Sequence, residues 1–211
     1  TLTPQSVFDF ATSKIGLDLC KDSGDGHTDN AYSPLTVGAL TYGVTLENLV
    51  NGYVPYGNGG TQYKAHLVSK VVQGAGDLIY ENNGDPEEAV SSETAYVMNK
   101  LLQDVVNNGT GQKAKLENKH VAGKTGTTED YNDLWFVGYT PYYTCAVWSG
   151  YDNNEKLPDY ARNFHKALWK KVMTRIHEGL PSKEFEKPGT TSSANMQTAW
   201  TLVQNTRRTT R

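Results

Sequence analysis

The stretch VAGKTGTTEDYNDLWFVGYTP, Val121 to Pro141, joins two kinds of sequence. Its second half is aromatic and branched from Leu134 to Thr140 and reads as an ordinary strand. Its first half places Lys124, Thr125, Gly126 and Thr127 in a row, a choice that strand propensity alone does not explain. In an extended segment successive side chains alternate between faces, so Thr125 and Thr127 share one face and Lys124 and Gly126 the other. Two hydroxyls at that spacing on an edge strand can both donate to one carboxylate, and the missing side chain at Gly126 would let another backbone or a catalytic group come close. Lys124 adds a positive charge beside that point. Such a strand can pair with an extended, peptide-like substrate, hold its carboxylate and offer a backbone N–H where an oxyanion forms. Taken alone, a K-T-G triplet also reads as a glycine-marked bulge with exposed threonines, since three letters recur by chance.

The flanking sequence supplies the frame. KHVAGKTG, LWFVGYT and YTCAVWSGY are three strand candidates, the last two separated only by TPY, so they are expected as antiparallel neighbours. SSETAYVMNKLLQDVVNNGTG predicts a helix capped by Ser91 or Ser92, with an apolar stripe of Ala95, Met98, Leu102, Val105 and Val106 and Asn-Asn-Gly as its terminator. DYARNFHKALWKKVMTRIHEGL predicts another, from Tyr160 to Gly179, with Phe164, Leu168, Val172 and Ile176 on one face. At the start of the chain Thr3, Pro4 and Gly16 mark the ends of a helix carrying Val7, Phe8, Ala11 and Ile15. Thr45 caps a further helix through Leu46, Leu49, Val50 and Tyr53, expected to stop at Pro55 and the glycines beyond it. KDSGDGHTDNAYSP reads as an exposed loop, and the two branched runs around GAGD as a hairpin.

Composition narrows the function classes. The 211 residues are 37% hydrophobic and 20% charged, with 13 tyrosines and 20 glycines, which fits a turn-rich globular domain. A net charge of -3 leaves no basic field for nucleic acid, and the clustered arginines sit in the terminal NTRRTTR. No apolar run approaches bilayer length, and no charged-then-apolar leader pattern follows Thr1. Cys20 and Cys145 form no C-x-x-C pair and the five histidines share no ligand spacing, so no metal and no cofactor are expected. Cys145, inside an apolar run, reads as a small buried residue, and the histidines as structural or surface residues.

K-T-G is also the third signature of serine acyl-transfer enzymes that act on penicillins and on cell-wall peptides. The stretch AGKTGTTEDYNDLWFVGYTPYYTCAVWSGYDNN closely resembles the corresponding part of class A penicillin-binding proteins. YSPLTVGALTYGVTLENLVNGYVPYGNGG, SSETAYVMNKLLQDVVNNGTGQKA and WKKVMTRIHEGLP resemble the same family in the expected order. The resemblance implies an α+β fold of the serine transpeptidase and β-lactamase type, an antiparallel sheet flanked by helices. It implies that residues 1–188 are the C-terminal part of a transpeptidase domain, that is, a partial domain. It also implies acyl transfer on D-alanyl-D-alanine stem peptides of peptidoglycan, with β-lactams as mimics of the donor. Lys124 and Gly126 would then belong to the catalytic strand, Lys124 tuning the charge and proton network around the nucleophile. Thr125 and Thr127 would bind the carboxylate, and the Thr127 N–H would complete the oxyanion hole. Trp135, Phe136 and Trp148 match family positions and are read as core. The implied location is the extracytoplasmic face of a bacterial membrane, in a membrane-anchored parent.

The resemblance breaks in two places. No serine has lysine three residues later, so the S-x-x-K nucleophile motif is absent and the chain is expected to begin partway through the domain, with the missing N-terminal part as its partner. In the tail, residues 189–211, Ser193 to Asn195 fits the family's S-x-N pattern but follows K-T-G instead of preceding it. It reads either as a displaced segment or as a chance tripeptide. Two rival functions stay open: hydrolysis by a β-lactamase or D,D-carboxypeptidase, and a non-catalytic relative that binds peptidoglycan.

Overall fold

A computed structural model describes residues 2–189, so the Ser193 to Asn195 tripeptide lies outside the described residues. In chain order the elements are α1 (Pro4–Ser13), α2 (Tyr32–Val37), α3 (Leu46–Gly57), β1 (Thr61–Gln62), β2 (Lys70–Gln73), β3 (Asp77–Glu81), β4 (Glu87–Glu88), α4 (Ser92–Asn107), β5 (Ala122–Thr127), β6 (Leu134–Tyr139), β7 (Thr144–Ser149) and α5 (Phe164–Ile176). The fold is α+β, built on an antiparallel three-stranded sheet in the order β5-β6-β7.

Burial along the sheet explains its asymmetry. Strand β6 is buried at every position except Trp135, as a central strand covered on both faces should be. On one face α5 packs Trp169 edge-on against Phe136, with ring centroids 5.1 Å apart, and Val106, Ala114, Leu116, Val121 and Met173 complete that core. On the other face Tyr139 and Ala122 meet Leu102 of α4, Tyr53 and Tyr56 of α3, and Phe185. There the Tyr139 hydroxyl donates to Asn99 Oδ1 at 2.7 Å, and Asn99 Nδ2 donates to the Tyr56 carbonyl at 2.8 Å. These two bonds tie β6, α4 and α3 together. Burial pushes the Tyr53 phenol up to about 12 and that of Tyr139 further up.

The helices form where the caps place them. Thr3 and Ser6 make a reciprocal capping box at α1, and the Ser91 and Thr45 hydroxyls accept from Thr94 N and Asn48 N at α4 and α3. Helix α4 buries Ala95, Tyr96, Asn99, Leu102 and Val106, and at about 24 Å it is long enough to cross the sheet. The expected stop at Pro55 is corrected: α3 runs on to Gly57 with Pro55 inside it. A proline removes one intrahelical bond, a loss offset here by the complete burial of its ring, and its carbonyl accepts from Gly60 N at 2.7 Å. The end of the stretch read as loop, from Tyr32 to Pro34, is instead the start of α2, which Gly38 ends in the left-handed region. Around GAGD, β2 and β3 pair as the predicted hairpin, and all their residues are exposed.

The predicted core face of the last helix is also corrected. The buried residues of α5 are His165, Trp169 and Met173, whereas Phe164, Leu168, Val172 and Ile176 are between 37% and 56% exposed. Both sets repeat every four residues and lie one position, about 100°, apart on the helix, so spacing alone could not choose between them. The indole decides, because Trp169 fills the space beside Phe136 and its Nε1 donates to the Cys145 carbonyl at 2.9 Å. Cys145 itself is half-buried against this core.

A buried histidine stands at each end of α5. The Nδ1 of His177 lies 2.7 Å from the Met173 carbonyl, which can only accept, so Nδ1 carries the proton and Nε2 accepts from the Thr140 hydroxyl at 2.8 Å. His165 is buried and its Nδ1 has no hydrogen-bond partner among the described residues. Burial, with the charge of Lys166 adding to it, lowers the His165 pKa to about 4. The unfolded chain therefore takes up a proton near pH 6.5 that the folded chain refuses until about pH 4. Stability is fully present above pH 6.5 and falls as the pH drops toward 4, with a slope of at most about 1.4 kcal/mol per pH unit from this group. Denaturation of the His165→Leu variant should show that slope removed between pH 6 and 4.5.

Candidate functional site

Lys124, Thr125, Gly126 and Thr127 fall on β5, which pairs with β6 alone among the described residues and so forms an edge of the sheet. The register sets Lys124 against Val137, Thr125 against Phe136, Gly126 against Trp135 and Thr127 against Leu134. The two threonines thus share one face. Lys124 and Thr127 are exposed, Thr125 and Gly126 half-buried. The Lys124 ammonium donates to the Thr125 carbonyl at 2.7 Å, which folds its charge back along the strand.

Glycine is demanded most strongly one residue before this cluster. A Cβ on Gly123 would lie 2.7 Å from Phe136 Cζ and 2.8 Å from the Val137 carbonyl oxygen, so the strand can approach its neighbour only without a side chain there. At Gly126 the nearest atom to an added Cβ is Trp135 Cβ at 3.2 Å. The space expected to admit a catalytic group is bounded by the cross-strand tryptophan.

Of the three aromatics read as core, only Phe136 is enclosed. Trp135 is half-buried and Trp148 is 37% exposed, their rings 6.1 Å apart on the Gly126 face. Trp148 Nε1 donates to Asp133 Oδ1 at 2.8 Å, and Asp133 N donates to the Thr128 hydroxyl at 2.9 Å. This chain of bonds closes the turn that follows the lysine-threonine strand.

Thr110 was missed at the level of sequence, because NNGTG was read only as a helix terminator. Its hydroxyl lies 2.8 Å from that of Thr125. Lys166 of α5 reaches the Thr110 carbonyl at 3.4 Å, and burial, then repulsion from Lys113, lowers the Lys166 pKa. A threonine between two glycines directly after a helix was the available signal.

Away from β5, a cleft of about 1250 Å³ is lined by Asp18, Cys20, His27, Tyr42, Glu47 and Asn48. Its wall is organised by Asp29, whose buried carboxylate accepts from Cys20 N, Thr41 N and the Thr41 hydroxyl at 2.7 to 2.8 Å. Burial pushes the Asp29 carboxyl up, and these three bonds outweigh it to leave a net lowering. That arrangement is a structural clasp.

The profile of the penicillin-binding protein transpeptidase domain matches residues 7–174. Penicillin-binding protein 1A of Clostridium botulinum is 35% identical over 173 residues, covering 82% of this chain and 21% of that protein. The chain therefore spans about a fifth of the length of such relatives. Among solved structures, the penicillin-binding protein PonA1 from Mycobacterium tuberculosis has a TM-score of 0.70 at 20% identity over 88% of this chain and 52% of that one. The D,D-transpeptidase domain of a peptidoglycan glycosyltransferase from Eggerthella lenta has a TM-score of 0.51 at 28% identity, over 65% of this chain and 33% of that one.

Proposed function

The chain belongs to the penicillin-binding protein transpeptidase family, and from that membership we propose that β5 is the carboxylate-binding side of a serine D,D-transpeptidase acting on peptidoglycan stem peptides. The observation that carries the reading is the placement of Lys124 to Thr127 on an edge strand, with both hydroxyls on one face and the ammonium exposed. Thr125 and Thr127 donate to the terminal carboxylate of a D-alanyl-D-alanine donor, and Thr127 N–H receives the oxyanion. A serine hydroxyl attacks the penultimate carbonyl, its proton passes to the leaving D-alanine amine, and an ester forms. The amine of a second stem then attacks the ester, returns the serine hydroxyl and completes the cross-link. Lys124 stabilises the negative charge that develops in both steps.

The serine comes from outside the 211 residues, since no S-x-x-K occurs in them. Residues 1–188 form the C-terminal part of the transpeptidase domain. The surface supports a second portion of the domain docking here. Strand β7 is half-buried along most of its length and pairs only with β6 among the described residues, and the exposed stripe Phe164, Leu168, Val172 and Ile176 lies on the helix packed against it. A strand and a helix from that portion would cover both. β-Lactams occupy the donor site. No described helix is long and apolar enough to cross a membrane; the parent works on the extracytoplasmic face of the bacterial membrane, held there by an anchor elsewhere in it.

Product analysis tests the reaction class. With a D-alanyl-D-alanine donor and excess D-amino acid acceptor, the polypeptide carrying this chain and the serine should give acceptor-exchanged peptide as the main product. Hydrolysed peptide alone would assign it to the carboxypeptidase or β-lactamase class, and no turnover to a binding role.

A further inference from the structure

The loop Gly109 to Gly111 is held against the last turn of α4 more tightly than a terminator needs. The N–H groups of Gly109 and Gly111 both donate to the Val105 carbonyl, at 3.1 and 3.0 Å. A Cβ at Gly109 would stand 3.0 Å from Val105 Cα, and one at Gly111 3.2 Å from the Val105 carbonyl oxygen, so any side chain on either side of Thr110 would press the loop away from the helix by a few tenths of an ångström. From the other side, Lys166 of α5 holds the Thr110 carbonyl. Thr110, itself exposed, is thus tethered to α4 through its flanking glycines and to α5 through Lys166, with its hydroxyl against that of Thr125.

Two hydroxyls 2.8 Å apart share one hydrogen, and each has only one to give. If Thr125 is to donate to a carboxylate, it must accept from Thr110. We propose that Thr110 is a positioning residue of the acyl-transfer site, donating to Thr125 so that the Thr125 hydrogen points to the substrate carboxylate. The inference rests on the function proposed above and adds to it a residue that never touches substrate. The donated bond also polarises the Thr125 O–H, strengthening its bond to the carboxylate.

The test is acylation by labelled benzylpenicillin and by its methyl ester, in the polypeptide that carries both this chain and the serine. Thr110→Val should lower the second-order acylation constant for the free acid about two- to tenfold, the range for one hydrogen bond, and leave that for the ester unchanged. Thr110→Ser should restore the wild-type value. Adding Thr110→Val to Thr125→Val should cause no further loss. Equal losses for acid and ester, additive losses in the double variant, or wild-type acylation by Thr110→Val would each overturn the inference. Absence of acylation in the wild type would instead remove the proposed function, and this positioning role with it.

Discussion

Lys124→Ala should slow acylation by penicillin at least about 100-fold while leaving the folded chain's stability almost unchanged. The two halves of that expectation come from different observations. Lys124 is exposed and among the described residues its ammonium bonds only along its own strand, to the Thr125 carbonyl, so removing it opens no cavity and strands no buried charge. Surface changes of this kind stay within about 0.5 kcal/mol. The same ammonium stands on the strand where an oxyanion and a carboxylate are proposed to sit, and loss of a group that stabilises charge in the transition state slows a reaction roughly 100- to 1000-fold. Lys124→Arg keeps the charge but spreads it over a planar fork, and should recover only part of the rate. Stopped-flow acylation and thermal denaturation on the same preparations separate the effects. A variant that acylates within threefold of wild type would remove Lys124 from the mechanism.

Trp169→Ala should cost about 3 to 5 kcal/mol of stability, the largest effect expected from one core residue. The indole is wholly buried, and its edge meets Phe136 on the central strand. A Cβ at Gly138 would lie 2.7 Å from Trp169 Cζ2, so the ring rests on bare backbone that no other side chain could refill. Truncation also takes from the half-buried Cys145 carbonyl the indole donor it has at 2.9 Å. For a chain of this size the melting temperature should fall by about 10 °C. Leu168→Gln, on the exposed stripe one position away, serves as the comparison and should move it by little in the isolated chain. A larger loss for Leu168→Gln than for Trp169→Ala would mean that α5 is seated with the other stripe inward.

Much of this architecture was legible because local chemistry and tertiary packing agree where it was read. The three sheet strands show branched and aromatic residues with short links, and the capping residues of α1, α3 and α4 sit at the helix starts that the structure shows. The misreadings arise where a distant partner decides. Pro55 stays within α3 because burial of its ring, which the local sequence does not encode, outweighs the lost bond. The inward stripe of α5 is chosen by Phe136 and Gly138, some thirty residues earlier in the chain. At the site, the alternation of Lys124 to Thr127 was readable from strand geometry alone. Thr110 was not, because its contact with Thr125 spans fifteen residues and depends on how the α4 terminus packs.

The central claim is that the Lys124 to Thr127 strand grips the carboxylate of an acylating donor. It is tested most directly by a crystal structure of the benzylpenicillin adduct of the polypeptide that carries this chain and the serine. The predicted result is a thiazolidine carboxylate within hydrogen-bond distance of the Thr125 and Thr127 hydroxyls, with the acyl oxygen at Thr127 N–H. An adduct whose carboxylate lies away from β5, or a protein that forms no adduct at saturating penicillin, would contradict it.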